Sequence, residues 1–178
     1  MKVVVINGAP TVGKDTFVTM CKDVYGGKRI LNISTIDYVK DVAYELGWDG
    51  TKTPKNRKFL SDLKDLLTEW EDIPFIQTCQ RIESWLDFAC EDMGVDEEEA
   101  VVFIHCREPD EIARFVEYYD AVALCIRRSE VENQEQSNHA DAKVFDYVYD
   151  YTIYNDSTLS WLRNEAIVFL RDYLKLNV

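Results

Sequence analysis

The first sixteen residues constrain the fold of this chain more than any other segment. Residues 3–6 (VVVI) form a continuous β-branched run, which is typical of a strand buried on both faces in a parallel sheet. Residues 8–14, here called the glycine loop, follow with the spacing G-x-x-x-x-G-K. Apolar residues then recur at helical spacing, at Phe17, Met20, Cys21 and Val24. The order of strand, glycine loop and helix predicts a phosphate-binding loop.

The glycine loop offers backbone N–H groups to phosphate oxygens. Gly8 and Gly13 can adopt conformations closed to residues with a Cβ, so successive N–H groups can turn inward at the positive end of the new helix. Lys14 is expected to reach the β- and γ-phosphates. The alternative is a glycine turn with a solvated lysine, and the flanking strand and helix argue against it. The predicted nucleotide-binding residues are Gly8, Ala9, Pro10, Thr11, Val12, Gly13, Lys14, Asp15 and Thr16.

The residue after Lys14 departs from the usual pattern of such loops. A Ser or Thr normally binds magnesium there, whereas this chain has Asp15, with Thr16 directly after it. A carboxylate is a hard oxygen ligand that can hold Mg²⁺ directly or through water. We therefore predict Asp15 as the metal ligand.

Composition favours one globular domain over residues 1–178. The hydrophobic fraction of 47% is sufficient for a full core in a chain of 178 residues. The formal net charge is −13, which repels nucleic acid, so we expect a small phosphate-bearing substrate held by a few cations. Apolar runs are too short to cross a bilayer and no leader precedes the first strand, so the chain is predicted to be cytoplasmic without a membrane partner. The five cysteines form no C-x-x-C pair and are interpreted as free thiols.

Four further strands are predicted, at residues 29–33, 101–105, 121–126 and 151–154, with helical patterns between them. Ligands of open parallel sheets lie beyond the carboxyl ends of the strands. Asp37 and Lys40 follow the second strand, where a second substrate could lie, and residues 34–37 are expected to cap the next helix. Asp37 could instead be only an acid at a helix start, interacting with the helix dipole.

Three arginine sites complete the candidate machinery. Residues 55–58 (KNRK) place three positive charges at a predicted helix start, which is unfavourable toward the helix dipole. This placement points to an anionic ligand near Arg57. The alternative is that these residues form a solvated surface. Arg107 leaves the carboxyl end of a strand, and its planar fork suits phosphate. Arg127 and Arg128 open a polar segment, residues 129–146, that is interpreted as an active-site lid or, alternatively, as a loop without a role.

As a set, these segments resemble the P-loop nucleoside-monophosphate-kinase-type proteins. The segments GKDT, STIDYVK, LGWDG, KNRKFLSDLK, HCREPDEI and SNHADA are most similar to those of phage and bacterial deoxynucleoside monophosphate kinases. The GKD variant is also similar to that of animal phosphomevalonate kinases. The resemblance implies a three-layer α/β fold with a five-stranded parallel sheet, a helical acceptor-binding insertion at about residues 34–72 and a lid at about residues 127–146.

The resemblance also implies transfer of the γ-phosphoryl group of ATP, with Mg²⁺, to a (deoxy)nucleoside monophosphate. The residues implied in catalysis are Lys14, Asp37, Arg107, Arg127 and Arg128, and those implied in acceptor binding are Asp37, Lys40, Arg57 and Arg107. Two alternatives stay open: a kinase of another phosphorylated metabolite, and a nucleotide-binding module that does not transfer phosphate. The base and sugar of the acceptor are not indicated, and the protein could be a monomer or a homodimer.

Overall fold

The computed structural model describes residues 1–132, residue 144 and residues 146–178. Within these residues, five strands form one parallel sheet with the order β2-β3-β1-β4-β5. The strands are β1 (Lys2–Asn7), β2 (Ile30–Ser34), β3 (Val101–His105), β4 (Val122–Arg127) and β5 (Tyr151–Tyr154). All five predicted strands are confirmed, with ends within one residue of the predicted ones.

Helices cover both faces of the sheet, as the predicted three-layer α/β architecture requires. The helices are α1 (Lys14–Tyr25), α2 (Asp37–Glu45), α3 (Pro54–Glu71), α4 (Ile73–Glu91), α5 (Pro109–Tyr119), α6 (Ser129–Glu132) and α7 (Leu159–Val168). A π-helical turn, Phe169–Tyr173, extends α7. Helices α1 and α7 pack on one face, and α4 and α5 pack on the other.

The continuous apolar run of β1 serves two cores because successive side chains of a strand point to opposite faces. Val4 and Ile6 pack with Phe17 of α1, whereas Val3 and Val5 pack with residues of α4 and α5. The residues 3–6 are all at most 5% exposed. The run is therefore apolar throughout, since neither face of β1 meets solvent.

Strand register brings the predicted site segments to one edge of the sheet. Ile6 lies opposite His105 of β3, and Asn7 lies opposite Cys125 of β4. The glycine loop, Arg107 and Arg127 all follow these positions in the chain. Because the strands are parallel, the segments leave the sheet on the same side.

The predicted insertion consists of α2 and α3, which differ in burial. Val39 and Ala43 of α2 are fully buried, whereas α3 has no buried residue and exposes Leu66 and Trp70. Thr53 caps α3 by accepting a hydrogen bond from the Asn56 N–H, with Pro54 at the first helical position. The apolar residues at helical spacing from Phe59 to Trp70 predict a helix, which is confirmed, but these side chains lie outside the core.

Two details of the predicted helices are corrected. No side chain caps α2; instead the Asp37 carboxylate accepts a hydrogen bond from the Ser34 N–H at 2.8 Å. The apolar helical pattern from Phe75 to Met93 predicts core packing along all of α4, yet Ile76 and Phe88 are exposed, while Phe75, Cys79, Ile82 and Ala89 are buried. A long helix that crosses the sheet buries only the stripe that faces the strands.

All five cysteines are free thiols, as expected, and all except Cys90 are buried. None of the helices in the described part of the chain has both the length and the apolarity needed to cross a membrane.

The contrast between α1 and α3 gives a testable prediction. Phe17 is fully buried and contacts the rings of Phe103 and Phe169 edge-on, whereas Leu66 is 62% exposed. We expect Phe17→Ala to lower the free energy of unfolding by about 3–5 kcal/mol through the cavity it leaves. We expect Leu66→Ala to change it by less than about 0.5 kcal/mol. Urea denaturation followed by circular dichroism measures both, and an equal loss in the two variants would contradict the burial assigned to α3.

Candidate functional site

The two glycines of the glycine loop are required by close approaches of other segments. Gly8 has φ 143°, and a Cβ there would lie 2.2 Å from the Ile126 carbonyl oxygen of β4. Gly13 has φ 101°, and a Cβ there would lie 2.6 Å from the Asn155 Nδ2. At Gly8 the positive φ and the backbone oxygen both exclude a side chain, whereas at Gly13 the positive φ disfavours one and the Asn155 amide would have to move.

The glycine loop leads directly into the N-terminus of α1. Gly13 is the N-cap residue, and no side chain caps the helix. Asn155, which follows β5, fixes the loop from outside because its side-chain amide donates to the Val12 carbonyl oxygen at 2.8 Å. An uncapped helix start combines N–H donors with the positive end of the helix dipole, which suits an anion.

Three cationic side chains from three segments line one cavity of about 110 Å³. They are Lys14 of α1, Lys64 of α3 and Arg107 after β3. The Lys14 ammonium donates to the carbonyl oxygens of Gly8 at 2.6 Å and Ala9 at 2.8 Å, so it lies folded over the glycine loop. The cavity is of a size and charge suited to a phosphoryl group.

Lys64 is the functional candidate that sequence reasoning missed. Its ammonium lies 2.7 Å from the Glu111 carboxylate of α5, and the two side chains are only 20% and 16% exposed. The same carboxylate oxygen accepts hydrogen bonds from the Thr35 hydroxyl at 3.3 Å and the Cys106 thiol at 3.0 Å. The spacing of seven residues from Arg57 to Lys64, two helical turns on one face, is the signal that could have identified it.

The thiol of Cys106 stays protonated in this cluster and acts as a donor. Burial raises the pKa of the Cys106 thiol well above its usual value, and the negative charge of Glu111 raises it further. The Glu111 carboxylate thus accepts three hydrogen bonds. They come from Lys64 of α3, from Thr35 in the turn after β2 and from Cys106 after β3.

The predicted metal ligand Asp15 lies in a neighbouring cavity of about 270 Å³ with Asp37, Lys40 and His105. Asp37 is paired with Lys40 at 2.8 Å. Among the residues described, no group of three His, Cys, Asp or Glu side chains could hold a metal ion. Mg²⁺ commonly takes one or two protein carboxylates and completes its shell with substrate phosphates and water, so Asp15, with Asp37 in the same cavity, fits this ion.

His105 borders both cavities and is a neutral imidazole near pH 7. Its Nε2 lies 2.8 Å from the Asn32 Oδ1, an acceptor, and 3.7 Å from an Asp15 carboxylate oxygen. Burial lowers the pKa of His105, and this outweighs the opposing effect of the Asp15 charge. The carboxylate of Asp15 is thus not neutralised by an imidazolium and stays exposed to a cation.

The other predicted arginines occupy different places. Arg57 is exposed near the start of α3 and, within the described residues, lines neither of these two cavities. Arg127 ends β4 with its guanidinium carbon 5.5 Å from the centre of the Tyr154 ring, and Arg128 pairs with Glu130 at 2.9 Å. Residues 133–143 and residue 145 of the predicted lid lie outside the described residues, so the lid stays a prediction.

The sequence matches no protein-family model and no curated protein. Solved structures similar to this chain include the shikimate kinase of Aquifex aeolicus, with 12% identity and a TM-score of 0.48, covering 96% of this chain and 97% of that one. The APS kinase of Mycobacterium tuberculosis has 14% identity and a TM-score of 0.40, covering 96% of each chain. The shikimate kinase of Bacteroides thetaiotaomicron has 12% identity and a TM-score of 0.44, covering 98% of this chain and 99% of that one. At these values the similarities do not indicate what this chain acts on.

Thr11 in the glycine loop gives a testable prediction. It is exposed and has φ 65°, a left-handed conformation that is unfavourable for a β-branched residue. We expect Thr11→Gly to raise the free energy of unfolding by about 0.5–1 kcal/mol, because relief of the left-handed conformation exceeds the extra chain entropy that glycine loses. Thr19→Gly, in the middle of α1, is the matched control and should lower it by about 0.3 kcal/mol, because threonine is itself a weak helix former. Urea titration of both variants decides the matter, and a Thr11→Gly protein no more stable than the wild type would refute the expectation.

Proposed function

We propose that this protein is an ATP- and magnesium-dependent kinase that transfers the γ-phosphoryl group to a small phosphorylated acceptor, a (deoxy)nucleoside monophosphate. The observation that carries the proposal is the meeting of Lys14, Lys64 and Arg107 around one cavity next to the glycine loop. Cations from a loop, an insertion helix and a strand end converge there, in a chain of net charge −13. Such convergence is what two phosphate groups brought together require.

The donor nucleotide is assigned to the glycine loop. Its N–H groups and the uncapped start of α1 would hold the β- and γ-phosphates, and Lys14 would move from the Gly8 and Ala9 carbonyl oxygens onto them. Asp15 would hold Mg²⁺, which neutralises charge on the transferring phosphoryl group. Arg127 or Arg128, through the predicted lid, would contribute a further positive charge to that group.

The acceptor phosphate is assigned to Lys64 and Arg107. A monophosphate brings about two negative charges, and these two cations reach the cavity from segments other than the glycine loop, Lys64 from α3 and Arg107 after β3. Asp37 and Lys40 would orient the acceptor next to the magnesium site. Arg57, at the exposed start of the same helix as Lys64, would contribute to the wider positive field.

The chemical step needs little more than position and charge neutralisation. An oxygen of the acceptor phosphate attacks the γ-phosphorus, the bond from the γ-phosphorus to the bridging oxygen breaks, and ADP leaves with that electron pair. The attacking oxygen is already ionised near pH 7, so no strong base is required. Lys14 lines the cavity that we assign to the phosphates and would stabilise the charge that passes from donor to acceptor.

The test of the proposal is an acceptor screen. ADP release is measured with ATP, Mg²⁺ and each common nucleoside and deoxynucleoside monophosphate, and ATP binding is measured by isothermal titration. We expect acceptor-dependent ADP release with at least one of them and a loss of at least about 100-fold in Lys14→Ala, with an unchanged melting temperature. Release with other phosphorylated metabolites alone would correct the acceptor class. ATP binding with no acceptor-dependent release would favour a nucleotide-binding module.

Lys64 gives a sharper prediction because its helix carries a matched control. Lys58 also pairs with a carboxylate, Asp62, at 2.7 Å, but its side chain is 75% exposed on the outer surface of α3. We expect Lys64→Gln to raise the KM for the acceptor by roughly tenfold or more, since a charge-assisted hydrogen bond to phosphate is lost, and to leave the KM for ATP unchanged. We expect Lys58→Gln to change neither value by more than about twofold.

The variant Glu111→Gln separates a binding role of Lys64 from a structural one. It removes the same ion pair while keeping the Lys64 charge, so we expect it to affect the acceptor KM less than Lys64→Gln does. The double variant Lys64→Gln/Glu111→Gln leaves no uncompensated carboxylate and should still bind the acceptor poorly. Equal KM changes in the two single variants would mean that Lys64 acts only through its ion pair.

A further inference from the structure

A larger cavity of about 380 Å³ lies on the other side of Lys64, between α3, the start of α4 and the start of α5. Lys64 and Glu111 line it, and Lys64 also lines the phosphate-sized cavity beside Lys14. The volume is in the range of small-molecule sites. A ligand with its phosphate at Lys64 therefore has space for the rest of its body in this larger cavity.

One wall of the larger cavity is a flat pair of side chains. The Arg114 guanidinium lies over the ring of Phe75, 3.7 Å from its centre, and forms an ion pair with Asp72. Phe75 is buried and packs against the ring of Phe115, with centroids 4.6 Å apart. Phe75 and Asp72 hold Arg114 in place, yet its side chain remains 48% exposed, and a guanidinium plane in this setting can stack with a planar heterocycle.

The charges around the larger cavity restrict what can occupy it. The cavity is lined by five carboxylates and two cations. Each cation is paired with one of these carboxylates, Lys64 with Glu111 and Arg114 with Asp72. Asp65 of α3 and Asp110 of α5 are among the remaining carboxylates. A second anionic group would be repelled there, whereas ionised carboxylates accept hydrogen bonds from N–H and O–H donors.

We propose that the larger cavity holds the ring of the acceptor and selects bases that carry an exocyclic amino group, by stacking on Arg114 and by donation to Asp65 or Asp110. The inference rests on the proposed function and specifies its acceptor as a monophosphate with one anionic end and an amino-bearing planar ring. Acceptors with a second anionic group, such as phosphorylated carboxylic acids, fit this lining poorly.

The test uses two pairs of acceptors that differ in the amino group. They are dCMP against dUMP, and dGMP against dIMP. We expect the amino-bearing member of at least one pair to have a kcat/KM higher by roughly tenfold or more, because a hydrogen bond to a charged partner is lost in the other member. Asp65→Ala or Asp110→Ala should reduce that ratio to within about threefold. Asp62→Ala, on the outer surface of the same helix, is the control and should keep the ratio.

The outcomes separate this inference from the proposed function. Transfer to these nucleotides with no preference in either pair, or a preference that survives in both Asp65→Ala and Asp110→Ala, would overturn the inference and leave the kinase in place. Transfer only to monophosphates whose base lacks an exocyclic amino group would also overturn the inference, whereas absence of transfer with every monophosphate of the acceptor screen would count against the kinase instead. In that case isothermal titration of the same pairs with ADP present measures the same ratio as binding, and equal affinities for both members of each pair would overturn the inference.

Discussion

The structure of the candidate site depends on one close approach, that of Gly8 to the backbone of β4. Only a residue without a Cβ can lie against the Ile126 carbonyl oxygen, and the lack of a side chain lets the glycine loop pass close over the carboxyl edge of the sheet. The start of α1 is thereby directed at the same edge from which Arg107 and Arg127 leave their strands. Phe17 and Val18, buried one turn further along α1, fix the direction of the helix. An anion site of this kind is built from backbone geometry and needs few side chains.

A second polar centre, the Glu111 carboxylate, organises the opposite side of the cleft. It receives donors from α3, from the turn after β2 and from the end of β3, and it keeps an ammonium group from the insertion near the phosphate-sized cavity. A carboxylate with this little exposure is stable only when it is paired and hydrogen-bonded. The candidate site is thus built from two kinds of interaction. The glycine loop depends on a tightly packed backbone, and the surroundings of Lys64 depend on charged hydrogen bonds to Glu111.

This difference explains which features the sequence could predict. The strand run of residues 3–6 and the apolar strands 101–105 and 151–154 are local patterns, and the structure confirms each of these strands. The G-x-x-x-x-G-K spacing is also a local pattern, and α1 begins at its lysine, Lys14. The spacing from Arg57 places Lys64 on one face of α3, but its pairing with Glu111 depends on how α3 packs against α5, which the sequence of α3 does not contain. The sequence likewise could not predict that Leu66 and Trp70 are exposed, because an apolar helical stripe has the same spacing whether or not another element covers it.

The absence of buried residues in α3 has a consequence for motion. Apolar burial provides most of the free energy that resists local opening, and α3 is held instead by half-buried leucines, a capped start and ion pairs such as that of Lys64 with Glu111. Helix α3 should therefore open at a lower free energy than β1 or α1, while the sheet stays folded. High ionic strength, which weakens ion pairs at a partly exposed site, would widen this gap. Helix α3, to which we assign contact with the acceptor, is accordingly expected to change position more easily than the sheet does.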